Sequence, residues 1–220
     1  MLDVAIRRED GSTVVDWQQV GIRSAPPLPV HPALHEVLPS GLRRGSTVAV
    51  SGSISLLLAL LGAASADGAW CALVGLPRIS AEAATEYGVD LRRLAVVPSA
   101  GTGWTTALGA LLDAVDIVAA RPPRLAPGDV RRLAARARSR EAVLMSYGDW
   151  PGADVRLRAT GGRWTGMGEG YGRLQARRLE VHAEGKGPAA RPRSATLWLP
   201  AAGGGVETTH ETAPVIELVS

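Results

Sequence analysis

Gly45-Ser-Thr-Val-Ala-Val-Ser-Gly-Ser-Ile-Ser-Leu-Leu-Leu-Ala-Leu-Leu61 decides how the rest of the chain is read. Ser46 to Val50 is β-branched and apolar between turn residues, the pattern of a strand buried on both faces of a parallel sheet. Ser51 to Ser55 is a short Ser/Gly turn, and Ser53 or Ser55 can accept from the free N–H groups of a helix that follows. Leu56 to Leu61 is apolar all round, so that helix is deeply buried. Strand, glycine turn and helix N-terminus together make the place where a phosphate-binding loop sits, because backbone N–H groups and the helix dipole converge there. The phosphate chemistry is missing. Such a loop needs Gly-x4-Gly-Lys-Ser/Thr, and counted from Gly52 the last three places fall on Leu57, Leu58 and Ala59. The only lysine in the chain is Lys186.

Working outward, the same strand-then-helix rhythm recurs. Gly68 to Gly75 reads as a second buried strand, and Ser80 to Tyr87 as a helix capped by Ser80 and stopped by Gly88. Leu94 to Pro98 is a third strand, Thr105 to Asp113 a helix, and Val115 to Ala120 a fourth strand. Pro127 to Arg140 is an Arg-rich helix opened by proline, and Ala142 to Tyr147 a fifth strand. Alternating strands and helices predict an α/β fold with a mainly parallel central sheet flanked by helices. After Gly148 the period changes to two over Val155 to Thr160 and Leu174 to His182, with six glycines between Gly161 and Gly172. This predicts a C-terminal antiparallel hairpin, followed by a last strand over Ala195 to Leu199. Residues 1–29 read as an N-terminal segment ending in the stiff linker Ala25-Pro-Pro-Leu-Pro29, residues 30–200 as one domain, and 201–220 as an acidic tail. Within that tail, Pro214-Val-Ile-Glu-Leu-Val219 is apolar enough to add to a sheet or meet a partner.

Composition excludes several classes. The 220 residues are 46% hydrophobic, enough for a sizeable core, and that core is aliphatic because there is no Phe. No apolar run reaches the ~20 residues of a membrane helix. The start, Met1 to Asp10, places charge after its apolar residues, unlike a secretion signal. One cysteine, Cys71, rules out an internal disulfide and points to a reducing cytoplasm. Four scattered histidines lack metal-ligand spacing, and no cofactor is expected. Charge is uneven: residues 1–120 hold 8 Arg against 11 acids, residues 121–193 hold 15 Arg and one Lys against 7 acids, and residues 194–220 hold three Glu and no base. A basic second half fits an anionic partner such as nucleic acid, and equally fits a solvated surface in a chain that uses Arg for solubility.

The order and spacing of these stretches resemble the RecA family of recombinase ATPases over roughly residues 34–200. Leu34 to Gly52, Cys71-Ala-Leu-Val74, Tyr87 to Leu91, Leu94 to Pro98, Val115 to Arg121, Arg177 to Lys186 and Thr196 to Leu199 carry the likeness. On that resemblance the acidic residue that orients the attacking water falls on Pro77, the Mg²⁺-holding aspartate on Arg121, and the polar sensor on Ser146-Tyr147. A cation in place of a metal ligand is incompatible with Mg²⁺. Gly52, Ser53, Ser55, Pro77 and Arg121 therefore read as a degenerate nucleotide site, and no nucleotide hydrolysis is expected. Within the family, Ser51 to Leu60, Val74-Gly-Leu-Pro77, Val118 to Pro123 and Tyr147-Gly-Asp-Trp-Pro151 are most similar to the ImuA-type RecA-like proteins of actinobacteria.

That resemblance implies an accessory role in DNA-damage-induced mutagenesis beside an ImuB-like Y-family polymerase homologue and an error-prone C-family polymerase, in the cytoplasm or at the nucleoid. A divergent DNA-dependent ATPase and a cell-division inhibitor of related fold are the alternatives. Arg132, Arg136 and Arg140 share one helix face at four-residue spacing, while Arg173, Arg177, Arg178 and Lys186 lie on the hairpin and just beyond it. Both sets read as contacts to nucleic acid or a partner, or as solvated surface. Asp116 reads as structural, and Trp104, Trp150 and Trp164 mainly as packing residues, with Trp164 able to stack on a base.

Overall fold

The computed structural model describes residues 6–7, 13–14, 25–76, 79–168, 171–186 and 190–209. In chain order its strands are β1 (Ile6–Arg7), β2 (Thr13–Val14), β3 (Thr47–Ser51), β4 (Cys71–Val74), β5 (Leu94–Val97), β6 (Ile117–Ala120), β7 (Val143–Tyr147), β8 (Val155–Trp164), β9 (Met167–Gly168), β10 (Tyr171–Gly172), β11 (Arg177–Gly185), β12 (Arg193–Trp198) and β13 (Glu207–Thr208). The α-helices are α1 (Ile54–Ala66), α2 (Ala81–Glu86), α3 (Trp104–Ala114) and α4 (Pro127–Ser139).

Nine strands form one sheet in the order β13-β12-β11-β8-β3-β7-β6-β4-β5. The run from β8 to β5 is parallel throughout, and β11, β12 and β13 extend it antiparallel. The expected α/β fold with a C-terminal antiparallel hairpin is therefore present. Two small antiparallel pairs stand apart from it, β1 with β2 and β9 with β10, the latter between β8 and β11 where the six glycines lie.

The central strands are mostly apolar because each face meets helices. Val48, Val50, Cys71, Leu73, Ile117, Ala119, Val143 and Met145 enter one core, and the alternate residues Ala49, Val74, Val118, Ala120 and Leu144 enter the other. α1 and α2 cover the first face, together with the lead-in from Leu28 to Leu42; α3, α4, Trp104 and Trp150 cover the second. In β8, β11 and β12 only the first face is covered, so their residues alternate buried and exposed.

α1 is central because it presents buried residues on every side, from Leu56 to Gly62 without a break and again at Ala64 and Ser65. Fully burying each leucine contributes about 1.5–3 kcal/mol. Gly62 of α1 lets the next layer close: a Cβ there would lie 1.7 Å from the carbonyl oxygen of Tyr87, just past α2.

Two boundaries differ from the composition reading. Leu28, inside the proline-rich stretch, is 4% exposed and exchanges backbone hydrogen bonds with Leu42. Ala201 and Val206 are buried, and β13 pairs with β12, so the fold continues to Thr208. In both places one or two apolar residues among Pro or Gly supply the anchor, too few to register as a periodic pattern. Pro214 to Val219 lies outside the described residues. Among the described residues no helix is long and apolar enough to cross a membrane.

Candidate functional site

The turn between β3 and α1 sits at the carboxyl edge of the parallel sheet, where crevices form in such folds. Ser53 caps α1, its side chain accepting from the Leu56 N–H at 3.3 Å, and it is itself buried. Of the two serines expected to cap, the structure uses Ser53. Gly52 has φ +84°, and a Cβ built on it would stand 1.9 Å from the carbonyl oxygen of Ala159 in β8. Glycine is thus required here: its φ is left-handed, and the backbone of the neighbouring strand stands where a Cβ would go.

Beside it opens a cleft of about 590 Å³ between the ends of β3, β6 and β7, lined by Ser51, Gly52, Arg121, Arg124, Tyr147 and Asp149, with Val130 and Trp150 also on its wall. Arg121 follows β6, its N–H held by the Val74 carbonyl at 2.9 Å, and it is exposed. Ser146 is buried, its hydroxyl within reach of the Gly148 and Asp149 carbonyls at 3.4 and 3.3 Å. It therefore serves the turn that leaves β7 and does not face a ligand. Pro77 lies outside the described residues. Two arginines and one aspartate line this cleft, and no lysine does. Lys186 follows β11 at the opposite end of the sheet, where its N–H meets the Asp154 carbonyl at 2.8 Å and its Nζ the Gly152 carbonyl at 3.2 Å. Among the described residues no group of three or more His, Cys, Asp or Glu could hold a metal.

The arginines of α4 are largely spoken for. Arg136 makes two hydrogen bonds to the Asp113 carboxylate of α3, and Arg140 adds a third at 3.0 Å. The Arg136 guanidinium, opposed by desolvation and aided by Arg140, holds the Asp113 carboxyl down to about 2. Arg132 pairs with Asp129 at 2.8 Å. The shared face seen in the sequence exists, but its charge is answered by Asp113 and Asp129.

The hairpin cations separate. Arg177 shares the buried face of Leu179, and its guanidinium lies 5.8 Å from the Trp164 ring centroid. Arg178 alternates to the other face, and Arg173 is exposed near the same end. Lys186 is a full strand length away. Trp104 and Trp150 are buried in the second core, whereas Trp164 is 41% exposed. Asp116 is structural: burial opposes its ionisation, but Arg44 at 2.8 Å and the Trp70 N–H at 2.9 Å hold its carboxyl below the usual range.

Sequence reading missed three features. Arg124 and Asp149 join the cleft from separate loops. An apolar groove of about 640 Å³ runs along the edge strand β5, where Leu91 and Val96 are exposed. A smaller cavity with a basic mouth lies at the amino end of β3. The clusters of cations and of apolar residues were visible in the sequence, but not which of them meet.

Comparison with known proteins bears on the family and the fold. A family model described as the MT3502 N-terminal domain matches residues 36–152. The uncharacterized protein Rv3395c of Mycobacterium tuberculosis is 35% identical over 158 residues, covering 67% of this chain and 78% of that protein. Among solved structures, the flagellar accessory protein FlaH from Methanocaldococcus jannaschii superposes with a TM-score of 0.53 at 11% identity, over 84% of this chain and all of the other. At that identity the likeness speaks for the fold, which is RecA-like.

Proposed function

The chain belongs to the MT3502 N-terminal domain family, and on that premise we propose that it is a RecA-like accessory protein that no longer hydrolyses nucleotide and works by binding partners. The observation that carries this reading is the set of side chains around the cleft beside Gly52. A nucleotide site needs a lysine on the β- and γ-phosphates and an acidic partner for Mg²⁺. Here the cleft offers Arg121 where the metal ligand would be needed, and the only lysine in the chain is at the other end of the sheet. The remaining elements, above all the deeply buried α1, serve the core.

The finer reading rests on the resemblance to ImuA-type proteins: an adaptor in DNA-damage-induced mutagenesis that binds an ImuB-like Y-family polymerase homologue and an error-prone C-family polymerase. Its support is a kept fold with a dismantled site, together with the apolar groove at β5, which offers a partner an unpaired strand edge. Calorimetry with Mg-ATP is expected to give no binding heat at millimolar nucleotide, and phosphate release is expected to stay at the buffer rate with or without DNA. Nucleotide turnover by the purified chain overturns the loss of catalysis. Affinity capture from damaged cells is expected to enrich the two polymerase-type proteins. Enrichment of a tubulin-like division protein in their place overturns the mutagenesis role and leaves the fold argument standing.

A further inference from the structure

At the amino ends of β3 and β8, away from the cleft, a cavity of about 120 Å³ is walled by Val37, Leu38, Leu42, Val48, Val155 and Ala183. The walls are held in place by the fold. Leu28 and Leu42 exchange backbone hydrogen bonds at 2.8 and 2.9 Å, which fixes the lead-in against the sheet. The mouth carries Arg43, Lys186, Arg191 and Arg193, all exposed, against a single carboxylate, Asp154. That carboxylate is already engaged, accepting from the Thr47 N–H at 2.8 Å and the Thr47 hydroxyl at 3.0 Å, with Arg43 at 3.5 Å. Lys186 reaches the Gly152 carbonyl at 3.2 Å, and Arg191 and Arg193 have no carboxylate partner among the described residues.

We propose that this cavity takes an acidic peptide segment of a partner protein, with one aliphatic side chain in the hole and the carboxylates beside it on the rim. Size, wall and rim each select that occupant. The cavity is a little smaller than the ~150 Å³ that encloses a benzene ring, which is room for one leucine or isoleucine side chain and little more. Its wall is aliphatic, and no aromatic ring lines it, so a nucleic-acid base finds no stacking surface there. The rim cations come from three separate segments: Arg43 before β3, Lys186 after β11, and Arg191 with Arg193 where β12 begins. A lone carboxylate answers only some of them, whereas a chain with acids on both sides of its aliphatic residue answers several, through charge-assisted hydrogen bonds. Arg193 lies opposite Ala183 in the β11–β12 ladder, so the rim adjoins the wall. This surface is distinct from the groove at β5, and the inference rests only on the reading of the chain as a protein that works by binding partners.

A fluorescein-labelled hexapeptide, Glu-Asp-Leu-Glu-Asp-Glu, titrated with the full chain and followed by anisotropy, tests this, and amide NMR shifts locate the complex. Saturable binding is expected, with shifts in residues 37–43, 154–155 and 183–186 and none at Arg121 or Arg124. Serine in place of the peptide's leucine is expected to weaken binding about tenfold, because the hole then stays unfilled. Lys186→Glu/Arg191→Glu is expected to weaken it at least tenfold, and to bind in its place Lys-Arg-Leu-Lys-Arg-Lys, which the unaltered chain rejects. A general loss of folding cannot produce that exchange of preference. The absence of saturable binding at millimolar peptide overturns the proposal, as does equal binding of the leucine and serine peptides. Shifts at Arg121 and Arg124 overturn it by moving the peptide to the cleft. A single-stranded oligonucleotide of equal charge that displaces the peptide and shifts the same amides overturns it by assigning the rim to nucleic acid. The two readings fail separately: nucleotide turnover with peptide binding intact overturns the loss of catalysis and supports this site.

Discussion

At the scale of single residues, two side-chain environments make numerical claims. Gly52 combines a left-handed φ of +84° with a carbonyl oxygen 1.9 Å from where a methyl group would stand. A non-glycine residue in that conformation costs about 1–3 kcal/mol before any clash, so Gly52→Ala is expected to lose at least ~2 kcal/mol in urea unfolding. Ser53→Ala removes one cap bond and is expected to cost about 1 kcal/mol. Equal losses for the two variants would contradict the close approach of the Ala159 carbonyl to Gly52. Asp113 carries the second claim. Its carboxyl is held down to about 2 by Arg136 and, more weakly, Arg140, against an ordinary value near 4. Because the folded value is depressed, the pairing stabilises the fold in full above pH ~4 and is lost as pH falls toward 2. An NMR titration of Asp113 is expected to show its midpoint near 2, and Arg136→Ala to return most of the shift. A midpoint near 4 in the unaltered chain would mean that Arg136 and Asp113 are not paired in solution.

At the scale of elements, α1 holds the two layers together. Leu60 is fully buried within it, so Leu60→Ala is expected to cost about 2–5 kcal/mol. Arg131, exposed on the outer side of α4, has no ion pair among the described residues, and Arg131→Ala is expected to change stability by less than ~0.5 kcal/mol. Equal effects in denaturant unfolding would contradict the burial pattern. The parallel strands were readable in the sequence because a strand covered on both faces is apolar at consecutive positions, as in Val48–Val50 and Ile117–Ala120. Ser80 was readable as a cap because its side-chain oxygen sits three residues before the N–H it serves. What could not be read was pairing at a distance. Arg136 and Asp113 are 23 residues apart on different helices, and only the packing of α3 on α4 brings them together. The same holds for the candidate site. The absence of a nearby lysine and the cation at Arg121 were legible as residue types, whereas the Ala159 carbonyl close to Gly52 depends on which strand pairs beside β3. A β8 parallel to β3 without an intervening helix has no signature in composition.

At the scale of the whole molecule, Cys71 reports on opening. Its thiol is fully buried, and burial, with a smaller contribution from Asp116, pushes it up to about 12. A disulfide reagent at pH 8 is expected to label the native chain only through global unfolding, at a rate that rises with urea in step with the loss of folded signal. Rapid labelling without urea would show that β4 opens locally. The same sheet order ties the turn after β3 to the antiparallel wing. β8 is hydrogen-bonded along β3, and its Ala159 carbonyl stands where a Cβ on Gly52 would lie. On the proposed reading, replacing loop residues with Gly-Lys-Thr alone restores nothing, because Arg121 still stands where a metal ligand is needed and the turn is fastened to β8, on which the whole wing hangs. A site of this kind is switched on or off by several distant changes together, never by one.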